Sequence, residues 1–262
     1  MVLTDYGEAY VNINDINISL NYERHVRIKI FSKEGFAAAD VAMRLYHTGA
    51  AEEKVSNLKA TTYNLESGKI VETKLDKTGI FREKFNNNNN LQKFTFPNVK
   101  VGSVVEYSYT IISEFWASFP NWQFQKDIPV RHSEYWARFP DFFIMEKYMQ
   151  GYLAPTTYEV KDFANAKAHH WIMKDVPAFK EEPYMTSKED YVSKINFALA
   201  YVNFPSRPVQ EIMGTWDTLK TELLESESFT KAITGSNFLK KTVEEIIAGK
   251  TEPMQKIIAI HN

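Results

Sequence analysis

The chain has 262 residues, of which 31 are basic and 33 acidic, giving a net charge of −2, and it contains no cysteine. The lack of cysteine excludes a disulfide framework, a thiolate metal site and a cysteine nucleophile within these residues. The balanced charge gives no electrostatic footprint for nucleic acid. Because the sequence has no apolar run of about 18 residues, it predicts no membrane-spanning helix.

Alternating apolar and polar residues, which are typical of strands, dominate the first two thirds of the sequence. Within residues 17–32, for example, Val26, Ile28 and Ile30 alternate with basic residues. Further strands are predicted within residues 57–75, 81–85, 91–99, 102–113, 130–139, 142–149, 157–163, 169–176 and 190–202. Segment 36–47 is compatible with either a helix or a strand. Many strands joined by short polar turns indicate a mainly β protein, built as a large antiparallel two-sheet β-sandwich.

The hydrophobic period changes after residues 201–210, a segment with two prolines. Residues 215–226 and 236–250 have apolar side chains at helical spacing, which predicts two helices. We therefore predict a β-sandwich domain over residues 1–203 and a short α-helical segment over residues 204–262.

The final residues, TEPMQKIIAIHN (251–262), read as the start of another helix, with Thr251 as its N-cap. This helix has no C-terminal cap, which suggests that the chain is cut within it. The apolar face formed by Ile257, Ile258 and Ile260 is then expected to fray, or to pack only against residues 215–247.

Residues that commonly carry chemistry follow no recognisable spacing. His169 and His170 are adjacent in a predicted strand, so their rings should point to opposite faces of the sheet. No metal-ligand spacing, nucleophile elbow or glycine-rich phosphate loop occurs in the sequence. The sequence therefore predicts no catalytic residue, no metal site and no bound cofactor in this chain.

An unusually aromatic stretch, EFWASFPNWQFQKDIPV, covers residues 114–130. One interpretation is an exposed platform of Trp116, Phe119 and Trp122, joined by the nearby Trp136, that binds a ligand or a neighbouring domain. The other is a corner between strands whose rings fill the core. Trp122 and Phe124 alternate with glutamines and are expected to be buried together.

Four segments of the β part stand in a fixed order along the chain. They are YERHVRIKIFSKEG (22–35), FTFPNVKVGSVVEYSYTI (94–111), WQFQKDIPVRHSEY (122–135) and VPAFKEEPYMTSKEDYVSKINF (176–197). In order and number they resemble the domain of unknown function that lies N-terminal to transglutaminase-like, papain-like cores in exported proteins of Gram-negative bacteria. Together the matches cover most of residues 8–200.

The resemblance implies that residues 204–262 form the helical lead-in to a transglutaminase-like core that this chain lacks. The cysteine, histidine and aspartate of such a core would lie downstream, so no catalytic role carries over to any residue here. The implied partner is that downstream domain of the same polypeptide, and the implied location is the periplasm or cell surface.

Three functions remain open on these grounds. The first is a non-catalytic accessory domain that docks or orients the core or its protein substrate. The second is a carbohydrate-binding β-sandwich module that uses exposed tryptophans, and the third is an enzyme complete within this chain. Exposure of the indoles discriminates between the first two, since a glycan platform needs rings at the surface.

Overall fold

A computed structural model describes residues 1–14, 17–234 and 237–261, and the chain forms two compact units, residues 1–212 and 213–262. The first unit consists of strands with short 3-10 turns. Its strands are β1 (Val2–Ile13), β2 (Ile18–Lys29), β3 (Asp40–Thr48), β4 (Ala51–Glu52), β5 (Lys54–Glu66), β6 (Lys69–Lys74), β7 (Ile80–Asn86), β8 (Asn89–Thr95), β9 (Val104–Ser113), β10 (Trp122–Gln123), β11 (Val130–Pro140), β12 (Phe143–Gln150), β13 (Thr157–Phe163), β14 (Ala166–Val176), β15 (Lys194–Val202) and β16 (Gln210–Glu211). The mainly β class is thereby confirmed. Segment 36–47 divides between a 3-10 turn at Lys33–Ala39 and strand β3.

One large sheet of eight strands forms the base of the first unit, in the order β13-β14-β11-β1-β2-β9-β5-β6. Its neighbouring strands pair antiparallel, except that β1 pairs with β11 in parallel. This pair departs from the antiparallel pairing that the sequence predicts. The alternating pattern could not reveal it, because a strand with one buried face shows the same period beside either kind of neighbour.

Two smaller sheets of four strands each accompany the large one, so the described residues form three sheets and not the expected two. The first contains β10, β15 and β12, with β16 also paired to β15, and the second has the order β4-β3-β8-β7. Trp122 of the first stacks on Tyr135 of the large sheet at 4.9 Å between ring centroids. Phe94 of the second lies 6.0 Å from Tyr107 of the large sheet.

Both small sheets cover the same face of the large sheet, here called the inner face. Tyr135, Gly7, Arg24 and Tyr109 are direct neighbours across four strands and share this face. Gly7 has no side chain because the indole of Trp122 occupies that space: a Cβ here would lie 2.3 Å from the ring. The opposite, outer face carries the alternate residues, among them Glu134, Trp136 and Arg138 of β11.

The second unit contains helices α1 (Trp216–Glu225), α2 (Glu227–Thr234), α3 (Asn237–Ile246) and α4 (Pro253–His261). Thr215 and Thr218 form a capping box that fixes the start of α1. Strand β16 pairs with β15, and the first unit runs to residue 212, whereas the change of period around residues 201–210 predicted a boundary at 203. In the part of the chain that the structure describes, no helix is both long and apolar enough to cross a membrane.

Candidate functional site

The aromatic platform expected from residues 114–136 does not form, because two of its four rings are buried. Trp122 is only 2% exposed, and its Nε1 donates a hydrogen bond to Ser133 Oγ at 3.0 Å. Phe119 is 7% exposed and packs against Phe139, with 4.5 Å between ring centroids. Placing these two side chains at a ligand surface was therefore wrong, since both fill the core. The expectation that Trp122 and Phe124 are buried together is confirmed.

The other two rings of the expected platform lie on different faces. Trp116 is half-buried beside Phe143 and Phe204, at centroid distances of 5.4 and 6.5 Å. Trp136 lies on the outer face, on the side of β11 opposite to Tyr135. The large sheet thus separates Trp136 from Trp122, so the four side chains share no surface. A ligand role remains a prediction for Trp116 and Trp136 individually.

On the outer face, the carboxylate of Glu134 joins three side chains from neighbouring positions. It hydrogen-bonds with His132 Nε2, accepts from Trp136 Nε1, and hydrogen-bonds with His170 Nε2, each at 2.9 Å. Burial by itself would raise the pKa of Glu134, but these hydrogen bonds outweigh it and the pKa is lowered. Glu134 is therefore held as a carboxylate that binds side chains of the same sheet.

The ring of His170 completes this outer cluster. It stacks on Trp136 with 3.7 Å between centroids, and its Nδ1 hydrogen-bonds with Glu159 at 2.9 Å. Lys161 Nζ lies 4.8 Å from the Trp136 ring centroid. Both ring nitrogens of His170 are thus engaged by carboxylates. The arrangement ties β11 to β14 and β13 on their outer side.

The adjacent His169 takes the opposite face, as the sequence predicts. Its Nδ1 hydrogen-bonds with the hydroxyl of Tyr158 at 2.9 Å, and its ring lies 5.5 Å from that of Phe139. Burial, followed by the nearby Lys147 and Lys167, lowers the pKa of His169 to about 4. His169 is therefore neutral near pH 7 and contributes an aromatic contact to the inner face.

The inner face holds an ionic centre that sequence reasoning missed. Asp5 is completely buried and binds Arg24 through two bonds, Nε to Oδ1 at 3.0 Å and Nη2 to Oδ2 at 2.9 Å. Lys126 Nζ lies 2.8 Å from Asp5 Oδ2. Arg24 also covers the ring of Trp122, at 5.1 Å from its centroid.

The charges of this centre are set by their mutual contacts. Burial would raise the pKa of Asp5, but Arg24 and Lys126 together lower it. Burial lowers the pKa of Lys126, although Asp5 opposes that effect. The nearby hydroxyl of Tyr107 has its pKa raised to about 12, mainly by burial. The ionic centre attaches the segment after β10 to the large sheet. The sequence pattern that could have revealed this centre is an aspartate at a position of β1 that faces the core.

A cleft of about 910 Å³ lies at one end of the first unit, where several turns meet. Its lining includes Arg138 at the end of β11, Asp141 in the β11–β12 turn and Asn165 in the β13–β14 turn. Phe163 and Asn203 lie beside them. We call this the loop-end cleft, and no motif in the sequence indicated it.

These features define a class of protein: a β domain in which two small sheets cover one face of a large mixed sheet, with a helical unit after it. The chain belongs to the DUF3857 family, a domain of unknown function, which it matches over residues 17–180. This confirms the family resemblance seen in the sequence. No curated protein matches the chain.

A solved structure with the same fold is that of "a putative protease" from Parabacteroides distasonis ATCC 8503. The two chains superpose with a TM-score of 0.67 at 14% sequence identity. The match covers 99% of this chain but only 48% of the other, so this chain spans about half the length of that protein. At this identity the likeness establishes the fold.

Proposed function

We propose that this chain is a non-catalytic N-terminal accessory domain of a transglutaminase-like or cysteine-peptidase-type protein, which docks or orients the catalytic core or its protein substrate. The observation that carries the proposal is the extent of the structural match. Nearly the whole of this chain, 99%, corresponds to about half of the protein described as "a putative protease". In that protein this fold is joined to an equal length of additional chain.

The surface of the helical unit supports a docking role. Helices α1 and α4 have no buried residue, and they leave Trp216 85%, Met254 65% and Ile257 61% exposed. Exposed large apolar side chains at this density are typical of interaction surfaces. The occupant we propose is the catalytic core of the same polypeptide, which the family resemblance implies would follow these helices.

The contacts of the buried and paired carboxylates support the proposal that this chain is non-catalytic. Asp5 is neutralised by Arg24 and Lys126, and Glu134 binds three side chains of its own sheet. A general base needs a pKa tuned upward and a free approach for substrate, whereas both of these pKa values are lowered. Since the 262 residues contain no cysteine, the nucleophile of such a core would lie elsewhere.

The family resemblance also supports a location. We propose that the protein is exported in a Gram-negative bacterium, to the periplasm or the cell surface. Fractionation of cells that carry the native gene, followed by immunoblotting against the β domain, tests this. Recovery in the osmotic-shock or surface-shaved fraction is expected, and recovery in the cytosol alone would contradict it.

The lack of cysteine gives a direct test of the accessory role. A thiol-directed fluorescent probe cannot label this chain, so in the polypeptide that the native gene encodes it reports only on the remainder. We expect that polypeptide to react with the probe and to process a protein substrate such as casein, while residues 1–262 alone do neither.

Variants of the helical surface separate docking from a passive linkage. In the native polypeptide, Trp216→Ala and Ile257→Ser should raise KM for the protein substrate several-fold and leave the probe reaction unchanged. Tyr184→Ala, which removes a fully exposed ring from the first unit, is the matched control. Processing of casein by residues 1–262 alone, or variants that behave like the control, would overturn the proposal.

A further inference from the structure

The loop-end cleft is held in shape by the backbone of the turns around it. The N–H of Asp141 donates to the carbonyl oxygen of Asn165 at 3.1 Å, which ties the β11–β12 turn to the β13–β14 turn. The N–H of Asn203 donates to the carbonyl oxygen of Phe142 at 2.8 Å. Asn165 has a φ of 62°, a conformation that asparagine tolerates in turns. The cleft is therefore pre-formed, with a volume in the range of small-molecule sites.

Arg138 is fixed at one wall of the cleft by contacts on several sides. Its guanidinium forms an ion pair with Glu8 through Nη2. The same group lies over the rings of Tyr10 and Phe163, at 4.8 and 5.5 Å from their centroids. Of the three guanidinium nitrogens of Arg138, only Nη2 has a hydrogen-bond partner among the described residues. The N–H groups of Nε and Nη1 therefore remain free to donate to a ligand.

Three further polar residues that are exposed to solvent line the cleft. Asp141, Asn165 and Asn203 all line it, and within residues 1–14, 17–234 and 237–261 their side chains make no hydrogen bond to protein groups. The two amides can each donate and accept, while the carboxylate accepts. Their backbones are fixed by the bonds between the turns, so a ligand would meet them with little loss of chain entropy.

The charge and polarity of the cleft narrow the ligand class. Glu8 neutralises Arg138, and Asp141 adds a negative charge, so an anion such as phosphate gains no net attraction. A wholly apolar ligand would remove three unpaired polar side chains from water without replacing their hydrogen bonds, which is costly. A neutral ligand rich in hydroxyl groups avoids both penalties, because each hydroxyl donates and accepts.

The aromatic side chains add the remaining feature. Phe163 is 49% exposed, although Arg138 lies over one face of its ring. Phe142 lines the same cleft and packs against Phe204 at 4.9 Å between centroids. The C–H groups on a pyranose face carry partial positive charge and pack favourably on the negative face of such rings.

We propose that the loop-end cleft, formed by Arg138, Asp141, Phe163, Asn165 and Asn203, binds a neutral saccharide. This site goes beyond the proposed accessory role and uses none of the tryptophans that the sequence singled out for glycan binding. It would attach the β domain to a glycan independently of any catalytic core.

The test is a titration of the ¹⁵N-labelled 262-residue chain, followed by amide chemical shifts. The probes are maltotriose, cellotriose and chitotriose, with triglycine and inorganic phosphate as probes of other chemistry. We expect at least one trisaccharide to shift amides within residues 138–142, 163–166 and 203–205, with a Kd below about 1 mM. No reaction is measured, so failure of this site and failure of the accessory role are distinguishable.

Variants locate the binding to this cleft. Phe163→Ala and Asp141→Ala should each raise the Kd for the trisaccharide by about tenfold. Phe81→Ala removes an exposed ring from β7 in a different sheet and should leave the affinity unchanged. Absence of shifts with every trisaccharide would overturn the proposal. So would binding that survives both cleft variants, or shifts of these amides by triglycine or phosphate alone.

Discussion

The β unit and the helical unit differ in how far they bury the same type of side chain. Trp122 in the β unit is 2% exposed, stacked on Tyr135 and hydrogen-bonded to Ser133. Trp216 in the helical unit is 85% exposed. Strands of one sheet can bury a complete face against other sheets, whereas short helices need neighbours of comparable size. The contrast indicates that the β unit is stabilised by its own core, whereas the described helices leave large apolar side chains exposed, as the proposed docking role requires.

The largest expected effect is the loss of the central indole of the β unit. Trp122→Ala should lower the free energy of unfolding by about 3–5 kcal/mol, because it opens a cavity above Gly7 and leaves the Ser133 hydroxyl without its donor. Urea denaturation followed by far-UV circular dichroism measures this. A loss below about 1 kcal/mol would mean that the small sheet does not depend on this contact.

The ionic centre gives the next effect. Asp5→Ala should cost about 3 kcal/mol, because Arg24 and Lys126 then remain largely buried without their counter-ion. The matched control is Glu52→Ala, which removes a carboxylate that pairs with Lys54 and Arg82 at the surface and should leave the urea midpoint almost unchanged. Equal effects of the two substitutions would show that burial does not distinguish these ion pairs.

Acid should destabilise the β unit by protonating carboxylates whose pKa values are lowered in the folded state. The pKa values of Asp5 and Glu134 are lowered in the folded state, so their contribution is complete above the unfolded pKa of about 4 and is lost as pH falls through the folded values. The urea midpoint should therefore decline below about pH 4. Glu134→Gln should flatten this decline, and an unaltered slope would contradict the role given to its hydrogen bonds.

The smallest effect is expected in the helical unit. Trp216→Ala should change the stability of the isolated chain by less than about 0.5 kcal/mol, because the exposed indole contributes little to its own fold. The chain has five tryptophans, so the emission of Trp216 is obtained as the difference between the spectra of the wild type and Trp216→Ala, and it should lie at the wavelength of a solvated indole. A loss comparable to that of Trp122→Ala would show that the helical unit buries this ring, and would remove the contrast between the units.

Much of this architecture could be predicted from the sequence because strand alternation and helix periodicity are local. Val26 and Ile28 alternate with basic residues in β2, and the period changes before α1, as the structure shows. The opposed faces of His169 and His170 follow from the same geometry. Trp122 and Phe124 also share a buried side as expected. Each of these properties depends only on residues that are close together in the sequence, within one or two periods of a helix or strand.

The pairing of strands that are far apart in the chain could not be predicted from the sequence. The parallel neighbours β1 and β11 are separated by more than a hundred residues, and nothing local records their direction. Asp5 meets Arg24 across the neighbouring strands β1 and β2, but its contact with Lys126, which follows β10, joins segments far apart in sequence. The packing of Trp122 on Tyr135 likewise places a sheet between Trp122 and Trp136. Composition and period thus determined a mainly β chain with a helical end, while the tertiary structure decided which aromatics are buried, which charges meet and where the turns enclose a cleft. The physical reason is that burial and charge pairing depend on strand order, which is set by packing across the whole sheet.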